Sequence, residues 1–131
     1  MATAIPSLLA ALLAGCVLLA VPTPVAATDH IVGGSLWSIP TSNDYYNNWA
    51  GNRTIFAGDN LVFRFDAGMY DVVEVGRWEY DACSAVDQYS DTLKSSPAVF
   101  YLDFAGVKYY VCTVGNYCSL GVKLYIIVQQ A

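Results

Sequence analysis

Short runs of β-branched and aromatic residues, cut at close intervals by turn residues, constrain this chain more than any other feature. Leu61-Val62-Phe63-Arg64-Phe65 puts Leu61, Phe63 and Phe65 on one face of a strand. Val72 to Val75, Ala98 to Leu102, Val107 to Cys112 and Val122 to Val128 are equally short and suit a pleated, half-buried surface. Gly58-Asp59, Ala67-Gly68, Ser95-Ser96-Pro97, Ala105-Gly106 and Gly115-Asn116 separate them as turns. Many short strands at this spacing predict an all-β sandwich or barrel. Ser42 to Ala50 reads as a brief helix or turn, weakened by Asn47 and Asn48. No repeat, linker or low-complexity block interrupts the pattern, and 131 residues are enough for one domain and too few for two.

Upstream of residue 28 there is no Asp, Glu, Lys or Arg. An apolar run from Leu8 to Val21 is broken by Pro22 and Pro24 and closed by Val25-Ala26-Ala27. Small residues at Val25 and Ala27 suit a leader peptidase, so a secretory leader is expected over 1–27, cut after Ala27, with a domain over 28–131. The run is too short, and too soon followed by prolines, for a membrane span. Net charge −5 falls wholly on the domain, and six scattered basic residues form no cationic stripe. Nucleic acid and anionic membranes are therefore not expected partners. The residues after Leu124 to Val128 carry no lipid-anchor signal, so a soluble, extracellular monomer is expected.

Catalytic chemistry is hard to build here. The one histidine, His30, stands at the start of the domain, so no Ser, His and acid set is available. Asp66, Asp71 and Glu74 share one region but read as solvated strand faces. No enzyme is expected.

Cys16 leaves with the leader, so the domain keeps Cys83, Cys112 and Cys118. An odd count predicts one pair and one free thiol, and spacing alone does not choose the pair. Several ordered segments do more. They are Ile31-Val32-Gly33-Gly34-Ser35, Tyr46-Asn47-Asn48-Trp49-Ala50, Phe56 to Phe63, Val72 to Val75, Tyr80-Asp81-Ala82-Cys83 and Tyr109 to Leu124. Together they resemble the phytocyanins, the plant blue-copper family, in its stellacyanin-like and early-nodulin-like branch. The resemblance covers essentially the whole domain. It implies a two-sheet Greek-key sandwich of the cupredoxin type, with one or two short helical segments. It also implies a Cys83–Cys118 disulfide, which would close a loop worth about 3–4 kcal/mol in the chain-entropy view. A cell-wall or apoplastic location follows from the same resemblance.

A type 1 copper site needs two imidazoles, one thiolate and a weak axial ligand. One histidine in the whole sequence cannot supply that set. By resemblance, the family's two ligand histidines fall at Tyr70 and Tyr117, its axial residue at Val122 and its ligand cysteine at Cys112. Only Cys112 keeps its type. Neutral phenols with pKa near 10 are poor substitutes for imidazole. The expectation is therefore no metal and no cofactor, with Tyr70 and Tyr117 filling the vacated space and Cys112 a buried, inert thiol. The function expected is extracellular binding of a glycan, a cell-wall component or another protein. The alternative is the electron carrier that the family implies.

Three smaller features complete the reading. Asn52-Arg53-Thr54 is a glycosylation sequon, whereas Asn116-Tyr117-Cys118 is a rare type that a disulfide at Cys118 would block. Ten tyrosines and three tryptophans suit core and sheet-face packing first, and an exposed sugar-stacking platform second. A chain starting Thr28-Asp29-His30 could wrap Cu(II) or Ni(II) in a square plane through its terminal amine, two amides and the imidazole. Otherwise His30 simply opens the first strand.

Overall fold

The structure is a computed structural model that describes residues 26–131. All of the expected leader except Ala26 and Ala27 lies outside the described residues, Cys16 included. The strands are β1 (Asp29–Ile31), β2 (Ile55–Phe56), β3 (Asn60–Phe63), β4 (Val73–Val75), β5 (Ala98–Tyr101), β6 (Gly106–Val111) and β7 (Lys123–Gln129). Helices α1 (Tyr45–Gly51) and α2 (Arg77–Ala82) lie between them. One sheet has the order β1-β3-β5 and the other β2-β7-β6-β4. The pairs β1/β3 and β2/β7 are parallel and the rest antiparallel, which makes both sheets mixed. This is the expected two-sheet sandwich with two short helices.

Alternation along the strands builds the core. In β7, Leu124, Ile126 and Val128 point inward while Tyr125 and Ile127 point outward. Leu61 and Phe63 of β3 and Phe100 of β5 meet them from the facing sheet, and Tyr110 of β6 lies beside them in their own sheet. Phe63 is the aromatic hub, with its ring centroid 4.8 Å from Trp37, 5.6 Å from Phe100 and 5.4 Å from Tyr110. A smaller cluster of Val73, Val75, Tyr80 and Val111 packs around Cys118.

The strand ends expected from sequence shift by one or two residues for traceable reasons. Phe65 is buried but lies beyond β3, because its N–H goes to Ser96 Oγ at 2.9 Å instead of to a strand. Helix α1 starts at Tyr45, three residues later than Ser42, which instead receives the Tyr45 N–H on its carbonyl at 3.2 Å. Helix α2 was not located by pattern. It has six residues with only Tyr80 buried and Trp78 almost fully exposed, too short for a 3.6 period to declare itself.

Candidate functional site

The site suggested by sequence lies at one end of the sandwich, where β6 and β7 are joined. Cys112 follows the last residue of β6, and its N–H reaches Val122 O at 3.1 Å, just ahead of β7. Between them the chain coils back on itself: Tyr117 N–H donates to Val114 O at 3.1 Å and Val122 N–H to Tyr117 O at 3.0 Å. Residues 112, 117 and 122 are thereby drawn together. Tyr70 arrives from the loop after β3, where Met69 N–H closes a turn on Asp66 O at 3.1 Å.

Asp71 locks the two loops together. Its Oδ1 accepts the Thr113 N–H at 2.7 Å and its Oδ2 accepts the Thr113 hydroxyl, while its carbonyl takes the Trp37 indole N–H at 2.9 Å. Asp71 is only 4 % exposed, so its expected place on a solvated face is corrected. A carboxylate satisfied by two donors from one residue can be buried where an unpaired one could not. Of its neighbours, Asp66 is exposed as expected. Glu74 is half-buried, and burial raises its carboxyl above the usual range, with Lys108 at 4.0 Å partly offsetting the effect.

At the meeting point the Tyr70 and Tyr117 rings stack with centroids 5.3 Å apart and planes tilted by 44°. Both are partly buried against the core cluster that contains Cys112 and Val122. The Tyr70 hydroxyl points to the rim, where it accepts the Ile39 N–H at 3.4 Å. Cys112 is a free, buried thiol. Burial pushes its pKa up, which the nearby Asp71 charge reinforces against weaker backbone hydrogen bonding. Metal binding needs a thiolate and, for type 1 copper, imidazoles beside it. Two phenols, a disfavoured thiolate and the apolar Val122 do not fit that ion. Among the described residues no three His, Cys, Asp or Glu side chains gather as a metal cluster.

His30 belongs to a different set. Its ring is buried; Nε2 lies 2.8 Å from Asp59 Oδ2, and Nδ1 accepts from Arg53 Nε at 3.1 Å. Asp29 and His30 lie in β1, in register with Asn60 and Leu61. The square-planar metal site at Thr28-Asp29-His30 is thereby corrected, since its imidazole nitrogens are in use and its backbone is committed to the sheet. His30 is the middle residue of the first strand, one position after its start at Asp29. Nothing in the sequence joins His30 to Asp59, twenty-nine positions apart, so this cluster was missed.

The remaining features are quickly placed. Cys83 and Cys118 are bonded, with Cα atoms 5.7 Å apart, tying the end of α2 to the loop before β7. Asn52 is exposed at the C-terminal end of α1. The tyrosines divide: Tyr46, Tyr80 and Tyr110 are buried, while Tyr89 and Tyr101 stand out in solvent. On the outer face of the β6/β7 sheet, a shallow hollow of about 350 Å³ is lined by Tyr80, Tyr109, Tyr125, Val107 and Ile127, with Arg77 and Asp81 at its edge.

Comparison with known proteins agrees with this architecture. The plastocyanin-like domain family matches residues 37–122. Cucumber peeling cupredoxin from Cucumis sativus is 42% identical over 107 residues, spanning 80% of this chain and 78% of the cucumber protein. Early nodulin-like protein 15 from Arabidopsis thaliana is 33% identical over 107 residues, with 79% of this chain aligned to 60% of that longer protein. The solved structure of cucumber stellacyanin with Cu2+ superimposes with a TM-score of 0.77 at 41% identity, covering 82% of this chain and 99% of that one. With its two mixed sheets, its Cys83–Cys118 bond and these relatives, the chain belongs to the phytocyanin family, with a plastocyanin-like domain of the stellacyanin and early-nodulin-like kind.

Proposed function

We propose that this protein is a secreted phytocyanin that has given up type 1 copper and acts in the cell wall or apoplast by binding a wall component. The observation that carries this reading is the stacked pair Tyr70 and Tyr117, with Val122, around the buried Cys112. The names of its relatives point to copper and so to electron transfer. That function needs donors that these four positions do not offer. Fold alone does not carry the chemistry over.

The aromatic hollow on the outer face of β6 and β7 supports a binding role. Tyr80 contacts Tyr109 and Tyr125 at centroid distances of 5.3 and 6.1 Å, giving a rigid set of rings with low entropy to lose on binding. Val107 and Ile127 beside them are 49% and 60% exposed. Rings flanked by Arg77 and Asp81 offer both stacking and hydrogen bonding, the combination a sugar needs.

Copper addition to the purified, secreted protein tests the first half. No intense visible charge-transfer band and no stoichiometric calorimetric binding are expected. One bound equivalent with a blue-copper spectrum would overturn the reading. A glycan array probed with wild type and with Tyr125→Ala tests the second half. Binding lost in the variant is expected, and a wild type that captures no glycan would refute the sugar assignment.

A further inference from the structure

The Asp59 carboxylate is buried, with its side chain 9% exposed, yet it has no cation in direct contact among the described residues. Its Oδ2 accepts the Phe56 N–H at 2.9 Å and faces His30 Nε2 at 2.8 Å. Because Arg53 Nε donates to His30 Nδ1 at 3.1 Å, that nitrogen carries no proton, and Nε2 is the donor of a neutral ring. The Arg53 charge is thus held one imidazole away. The only other carboxylate close by in β1, Asp29, is turned to Asn60 Nδ2 at 3.0 Å. A buried carboxylate held by neutral donors alone is an uncommon arrangement, since burial of charge is costly without a counter-charge.

The remaining oxygen, Oδ1, accepts from Thr28 N at 3.1 Å. Thr28 is also held on its other side, where its carbonyl accepts the Asn60 N–H at 2.9 Å. Ala26 and Ala27, just before it, are exposed and lie outside every strand. The ordered pairing of the domain thus begins at the residue that the small-residue pattern Val25-Ala26-Ala27 marks as the first after cleavage. Local sequence and long-range geometry select the same bond.

We propose that Thr28 is the amino terminus of the working protein and that its α-ammonium is the counter-ion of the buried Asp59 carboxylate. Hydrolysis of the Ala27–Thr28 bond by a secretory leader peptidase consumes one water. The Ala27 carbonyl carbon takes the oxygen and leaves as a carboxylate, and Thr28 N becomes an ammonium. A neutral amide with one N–H is replaced in place by a cation with three. A charge-assisted hydrogen bond is roughly twice as strong as a neutral one. Cleavage therefore completes the Asp59 cluster instead of merely freeing the domain. This inference rests on secretion and is independent of the loss of copper.

The test uses the full chain expressed in plant cells with its own leader and recovered from the medium. Mass spectrometry is expected to show a start at Thr28. Acylation of the α-amine at neutral pH should run about tenfold slower in the folded protein than in Asp59→Asn, the factor that one unit of raised proton affinity gives. Asp29→Asn should match the wild type. A start at any other residue, or a chain retained with its leader, overturns the proposal. So does a slow amine that persists in folded Asp59→Asn. If Asp59→Asn does not fold, the wild type decides alone: an amine no slower in the native protein than in urea overturns the ion pair. None of these outcomes depends on the copper titration.

Discussion

Two buried tyrosines, Tyr110 and Tyr46, should respond to the same substitution with opposite signs. Tyr110 is fully buried, its ring 5.0 Å from Phe100 and 5.4 Å from Phe63, and its hydroxyl has no hydrogen-bond partner among the described residues. Burial raises its pKa far above the ordinary phenol range, with the Glu74 and Asp103 charges adding to the effect, so the group stays a neutral orphan. An unsatisfied buried hydroxyl costs about 1–3 kcal/mol. Tyr110→Phe removes that penalty and leaves only a one-atom void. The expected net gain is about 1 kcal/mol, which raises the unfolding midpoint by about 4–8 °C in a domain of this size. The Tyr46 hydroxyl, by contrast, accepts the Ser38 N–H at 2.8 Å and donates to Leu36 O at 2.8 Å or Ser38 O at 3.0 Å. Tyr46→Phe strands those groups and should lower stability by about 1–3 kcal/mol. Thermal and urea unfolding followed by circular dichroism reads both. A lower midpoint for Tyr110→Phe with an unchanged Tyr46→Phe would refute the reasoning, because it would mean that the orphan and the satisfied hydroxyl had been assigned the wrong way round.

Cys112 is buried with a raised pKa, so iodoacetamide should leave it unmodified in the native protein and label one thiol per chain in urea; rapid native labelling would contradict its burial. Gly33 has φ +71°, and an added Cβ would meet Tyr46 Cε1 at 2.7 Å, whereas a Cβ added at Gly34, φ +82°, would meet nothing within 4 Å among the described residues. Gly33→Ala should therefore lose at least about 2 kcal/mol and Gly34→Ala about 1, measured by urea unfolding, with equal losses counting against the close contact. Restoring Tyr70→His, Tyr117→His and Val122→Gln together should give a blue, copper-binding protein, while no single reversion does. A triple variant that keeps its disulfide but binds copper no better than the parent would show that the four positions do not form a ligand set.

Much of the fold was legible because alternation is a local property. Leu124, Ile126 and Val128 alternate with Tyr125 and Ile127 in the sequence, and β7 buries them accordingly. What could not be read is what depends on distant partners. Asp71 reads as one polar residue among several, and only Thr113, forty-two positions away, makes its burial possible. His30 reads as a lone histidine at a frayed start, and only Asp59 and Arg53 make it a core residue. Helix α2 escaped for the opposite reason, since six residues with one inward side chain carry no period.

The candidate site was legible as a set of positions, and the structure explains why those positions still converge. The loops that carry them are held by Asp71 to Thr113, by Trp37 to the Asp71 carbonyl and by Cys112 to Val122. None of those bonds uses a side chain at a histidine position, and Tyr117 adds only its backbone N–H and carbonyl, to Val114 and Val122. The frame is therefore built independently of the groups that would grip an ion, and replacing the imidazoles leaves it standing. Small residues there would have opened a cavity, with a penalty that grows with its volume. Two phenol rings with centroids 5.3 Å apart occupy the space, and the Tyr70 hydroxyl is kept at the rim, where it accepts the Ile39 N–H. Replacement by tyrosine thus removes the metal chemistry while preserving the packing, and this is why a chain with one histidine can retain the complete cupredoxin-like sandwich.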